Sequence, residues 1–146
     1  QKLSETGTYT VSDRVLRAVQ AEFSCGFCTD AQGAQTIGKT FRESRYLLDT
    51  HTAVACTVLG AYRAETGDQT LTVVESTASP FKFCASVLDA LGVTEHAPGT
   101  GVLGQLTAET GRPAPTPLAS LAGKPVRFDQ VTDRGDMRAV VTEFLR

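Results

Sequence analysis

The chain has 146 residues, a formal charge of -2, 41% hydrophobic residues and 21% charged residues. That length fits one domain able to bury about 68–70% of its unfolded surface, and the balanced charge excludes the basic footprint of a nucleic-acid binder. No apolar run is long enough to span a membrane and no basic-then-apolar leader is visible, so a cytoplasmic location is expected.

In chain order, Thr10 with Asp13 reads as a capping box, followed by a helix striped with Val15, Leu16, Val19 and Phe23. Thr29 with Gln32 caps a second helix carrying Ile37 and Phe41, which Gly33 and Gly38 weaken by about 1 kcal/mol each relative to alanine. A third helix starts at Thr50 or Thr52, with Asp49 as a helix-start acid and Val54, Val58 and Tyr62 on one side, and Gly67 ends it. Val73 and Val74, in the short Thr/Val/Leu-rich segment Leu71–Val74, are expected to lie in a buried strand. Ser79-Pro80 then supplies an N-cap and a first-turn proline for a helix with Phe83, Val87 and Leu91, closed by Gly92.

A loop through Pro98-Gly99 leads to a helix with Leu103 and Leu106 that stops at Gly111. Arg112 to Gly123 reads as an irregular connection, Val126-Arg127-Phe128 as a short strand, and Met137, Val140, Val141 and Phe144 mark a terminal helix. Helices outnumber strands heavily. A lone strand leaves its backbone groups unpaired, so the pattern describes part of an α/β layer whose other strands lie elsewhere. Such a part should expose apolar surface where those strands would pair.

The end of the expected strand presents Ser76 and Thr77 where open α/β sheets bind ligands, although hydroxyls at a turn also satisfy the local backbone. STASPFKF, Ser76–Phe83, resembles the STAHPxKF segment of threonine synthase. YLLDTHTAVACTVLGAYRAETGD, Tyr46–Asp68, is similar to that family's YLxDPHTAVA helix, and Leu3–Phe27 resembles its etGxY segment and following helix. These blocks fall in the family's order across nearly all of Leu3–Leu91, whereas the segment after Gly92 matches only in general pattern.

The resemblance implies a helix-rich α/β, three-layer αβα fragment of a tryptophan-synthase-like, fold-type-II enzyme. Residues 1–146 would form a single C-terminal domain or fragment, with the catalytic N-terminal part absent. The full enzyme binds pyridoxal 5′-phosphate and converts O-phospho-L-homoserine and water to L-threonine and phosphate, as a carbon–oxygen lyase of threonine biosynthesis. Thr77 then matches the hydroxyl that meets the pyridine nitrogen of the cofactor, with Ser76 as neighbour or substitute. A hydroxyl is too weak an acid to protonate that nitrogen, and a neutral ring is a weaker electron sink suited to elimination and replacement.

His51 and Lys82 are substrate-side candidates. Their structural alternatives are a helix-start histidine and a solvent-exposed lysine. Lys82 lies between Phe81 and Phe83, yet the family's Schiff-base lysine belongs to an F-K-D motif in the N-terminal half, outside this chain. Departures from the family pattern occur at Thr50, in place of proline, at Ser79, in place of histidine, and at Glu75, in place of an aliphatic residue.

Other chemistries fit less well. Cys25 and Cys28 form a Cys-x-x-Cys, but Cys56 and Cys84 stand apart, so the second half of a zinc knuckle is missing and no metal is expected. Cys56 and Cys84 suit buried thiols. Gly99-Thr-Gly101-Val-Leu-Gly104 spells a dinucleotide motif without the preceding strand, and Arg134-Gly135-Asp136 spells an adhesion tripeptide without a secreted context. Partners are therefore a small-molecule substrate and the enzyme's own N-terminal domains, with no nucleic acid and no membrane. The competing reading is a non-catalytic binding or assembly domain derived from the enzyme.

Overall fold

A computed structural model describes residues 2–146, and its secondary structure is helical throughout. Its helices are α1 (Lys2–Thr6), α2 (Asp13–Glu22), α3 (Asp30–Ser44), α4 (Thr50–Thr66), α5 (Cys84–Ala90), α6 (Gly101–Thr110), α7 (Thr116–Ala119) and α8 (Met137–Phe144). 3₁₀ turns occupy Pro80–Phe83 and Ser120–Gly123.

The core is built where α3, α4, α5 and α6 meet. Ile37 and Phe41 of α3, Leu47 and Leu48 of the following loop, Ala53, Phe81, Cys84, Val87, Leu88 and Leu106 form one buried cluster. α3 begins at the expected capping box, with Thr29 accepting from the Gln32 N–H and Gln32 accepting from the Thr29 N–H. It ends at Arg45, whose φ of 58° is left-handed and whose guanidinium lies 4.1 Å over the Phe41 ring. Gly67 and Gly111 close α4 and α6 in the left-handed conformation that glycine adopts without steric cost.

Several expectations are corrected. The cap of α2 is Ser12, which accepts from the Val15 N–H, rather than Thr10. α2 buries none of its residues: Val15, Leu16 and Val19 are exposed, as is Phe23 at its C-terminal cap. The buried positions of α4 are Thr52 and Ala53, with Cys56 half-buried against the core, while Val54 is exposed. Small residues are needed there because α3 approaches closely, bringing the Thr36 and Thr57 hydroxyls to 2.7 Å. Val58 instead faces the Cys25–Phe27 segment, where a Cβ on Gly26 would stand 2.7 Å from Val58 Cγ1.

The expected strands at Leu71–Val74 and Val126–Phe128 are absent, and no strand occurs among the described residues. The three-layer αβα arrangement is therefore not seen. Leu71 is 93% exposed and Val73 is 85% exposed, so the β-branched pattern is present without a neighbour to pair with. The Arg112–Gly123 connection contains α7 and a 3₁₀ turn rather than being irregular throughout. α8 forms where expected, with Met137, Val141 and Phe144 exposed. Among the described residues no helix is long and apolar enough to cross a membrane.

Candidate functional site

The candidate site gathers around the N-terminus of α4. Asp49 caps that helix: its Oδ1 accepts from the backbone N–H of His51 at 2.9 Å and of Thr52 at 3.2 Å. An aspartate here both satisfies orphan amide groups and complements the helix dipole. Its second oxygen, Oδ2, accepts a short hydrogen bond from the Thr52 hydroxyl and a longer one, 3.4 Å, from Ser76 Oγ. The Thr52 and Ser76 hydroxyls are themselves 3.1 Å apart. Ser76, on the segment before the 3₁₀ turn, is thus fastened to the start of α4.

Asp49 is only 1% exposed. Burial opposes its ionisation, but hydrogen bonds from the Thr52 side chain, the Thr52 and His51 amides and Ser76 outweigh that cost and hold its pKa below the ordinary carboxylate value. No cation contacts Asp49 among the described residues, so the hydrogen bonds are its compensation.

His51, the next residue but one, stands nearly perpendicular to the Phe83 ring with centroids 5.0 Å apart. Lys82 Nζ lies 5.4 Å from the centroid of the same ring. The structure therefore brings His51 and Lys82 to one aromatic side chain, and both are exposed. His51 also lines a cleft of about 410 Å³ between α3, α4 and α5, together with Asp30, Ser86 and Asp89. Ser79 accepts from the Phe81 N–H at 3.3 Å and caps the 3₁₀ turn rather than α5 directly.

Thr77 is exposed, and its hydroxyl makes no hydrogen bond among the described residues. Its donor and acceptor capacity is open to a ligand. Sequence reasoning missed the tie from Asp49 and Thr52 to Ser76. Asp49 and Thr52 stand at cap-to-third-residue spacing, which signals the cap but not a hydroxyl reaching in from another segment.

The cysteines are not gathered. Cys25 is exposed, Cys28 and Cys56 are half-buried, and Cys84 is buried with its thiol 3.1 Å from the Phe81 carbonyl oxygen. No group of three or more His, Cys, Asp or Glu side chains that could hold a metal ion occurs among the described residues.

Residues 52–142 match the family described as threonine synthase, C-terminal. The chain belongs to that family. Threonine synthase-like 1 of Mus musculus is 33% identical over 82 residues, covering 56% of this chain and 10% of the relative. The Homo sapiens protein of the same name is 27% identical over 94 residues, covering 64% of this chain and 12% of the relative. A crystal structure of PLP-bound threonine synthase from Brucella melitensis is 34% identical, with a TM-score of 0.55. That match covers 77% of this chain and 22% of the solved one, so the chain spans a minor part of the proteins it matches.

Proposed function

We propose that this chain forms the C-terminal wall of the cofactor site in a longer threonine synthase, which converts O-phospho-L-homoserine and water to L-threonine and phosphate. The observation that carries this reading is the unpartnered Thr77 hydroxyl beside an anchored Ser76, on the segment whose sequence matches the family's STAHPxKF block. The 34% identity to a PLP-bound threonine synthase supports pyridoxal 5′-phosphate as the group this wall receives.

Bound, the cofactor supplies the electron sink for eliminating phosphate and adding water. Thr77 meets the pyridine nitrogen with a hydroxyl, which hydrogen-bonds there without giving up its proton. Ser76 keeps that part of the wall in place. His51 and Lys82 flank Phe83 on the substrate side, where an imidazole and an ammonium offer N–H donors to a phosphate-bearing substrate.

The Schiff-base lysine comes from another part of the protein. Lys39, Lys82 and Lys124 are all exposed, and none lies in the enclosed setting that such a lysine needs. Leu71–Val74 pairs with strands of the N-terminal part, completing the α/β layers, and the assembled enzyme works in the cytoplasm.

By itself this 146-residue chain is inactive and holds the cofactor weakly. Incubation with pyridoxal phosphate followed by borohydride should leave no defined lysine labelled, and stoichiometric labelling of one lysine in this chain would overturn the assignment. The exposed apolar faces of α2 and α8 favour a second reading, a non-catalytic binding or assembly domain. That domain would keep the fold and be indifferent to Thr77.

A further inference from the structure

We propose that Asp49, assisted by Thr52, is the positioning residue of this site: it holds Ser76 and thereby sets the direction of Thr77. The inference rests on the reading of Thr77 given above and assigns Asp49 a task beyond helix capping.

A helix cap needs one acceptor, and Oδ1 already serves the His51 and Thr52 amides. Oδ2 is left over, and it turns to the hydroxyls of Thr52 and of Ser76, 27 residues further along the chain. Among the described residues, every hydrogen bond that ties residues 73–78 to the helices runs through Ser76 into this pair. Strand pairing at Leu71–Val74 in the longer protein ends before Ser76, so this hydroxyl is the tie nearest to Thr77.

The proton inventory sharpens the role. Thr52 has one hydroxyl proton and gives it to Asp49, and Ser76 also donates inward. Ser76 is thereby committed to the anchor, while Thr77 beside it stays uncommitted and available to a ligand. An acid used only as a cap works equally well in water. Burying this one without a cation is costly, and it makes sense where the second oxygen holds something in place.

The test titrates the full-length protein with pyridoxal phosphate, reading affinity and the absorption maximum of the bound cofactor. Ser76→Ala leaves the α4 cap intact and should weaken affinity roughly five-fold, the loss of about one net hydrogen bond, with a shifted absorption maximum. Asp49→Ala should do the same or more. Asp49→Asn should restore near-native affinity and spectrum, because its amide can donate to both hydroxyls while its oxygen keeps the cap.

Native affinity and spectrum in Ser76→Ala, with both impaired in Thr77→Val, overturns the positioning role and leaves the Thr77 reading standing, whether or not Asp49→Ala folds. Native affinity and spectrum in Thr77→Val overturns the Thr77 reading together with the positioning role built on it. The Ser76→Ala titration thus reads the anchor, and the Thr77→Val titration reads the cofactor wall.

Discussion

Gly38 in α3 lies against the Ala90 carbonyl of α5 so closely that a Cβ at this position would stand 2.6 Å from that oxygen. The neighbour is backbone, so it cannot swing aside as a side chain would. Gly38→Ala gains about 1 kcal/mol of helix propensity but forces α3 and α5 apart, and overpacking of this kind costs about 1–3 kcal/mol. Net destabilisation in a urea titration is expected. A rise in midpoint would show that the two helices are not held at this distance.

Leu88 and Leu106 are both fully buried at the meeting of α5 and α6. Replacing either with alanine should cost about 2–5 kcal/mol, since the removed methyl groups leave a cavity in a small core. Leu121→Ala, on an exposed 3₁₀ turn, should change the same urea midpoint little. Equal effects at these positions would contradict the location of the core.

Much of this fold is legible in the sequence, because local chemistry decides it. Thr29 with Gln32, Gly67 and Gly111 are caps whose partners lie within one helical turn, and each sits where its residue type requires. Ile37 and Phe41 announce the core face of α3 by their four-residue spacing. The failures are non-local. Val54, Val58 and Tyr62 look like the core face of α4, but the contact with α3 requires small residues, so Thr52, Ala53 and Cys56 turn inward instead. Leu71–Val74 has strand composition, yet a strand exists only with a partner, and none is supplied by these residues. At the site, Thr77 is read from its segment, whereas the Asp49–Ser76 anchor depends on the fold returning residue 76 to the start of α4.

Thiol reactivity should follow burial. Desolvation raises the pKa of Cys84, and desolvation followed by the charge of Asp49 raises that of Cys56, while Cys25 is exposed. Timed alkylation at pH 8 with peptide mapping should label Cys25 first and Cys84 last. Early labelling of Cys84 in the folded chain would contradict its place in the core.

The anchor predicts a pH dependence with a definite sign. The folded-state pKa of Asp49 is lowered, so it binds its proton less readily than in the unfolded chain, where an aspartate titrates near about 3.9. Its stabilisation is present above that unfolded value and is lost as pH falls through the depressed folded one. Urea midpoints should therefore drop more steeply on acidification below about pH 4 in the native chain than in Asp49→Asn. Asp68, half-buried and lowered mainly by its hydrogen bonds to Thr70, remains in both chains and cancels in the comparison. Parallel acid profiles would show that Asp49 carries no such stabilisation.

The central claim is that Thr77 faces the cofactor ring, and equilibrium titration of full-length Thr77→Val with pyridoxal phosphate tests it most directly. Valine keeps the shape and removes the hydroxyl. The account predicts weaker binding, a shifted absorption maximum of the bound cofactor, and loss of phosphate release from O-phospho-L-homoserine. Native affinity, spectrum and turnover in Thr77→Val would contradict it.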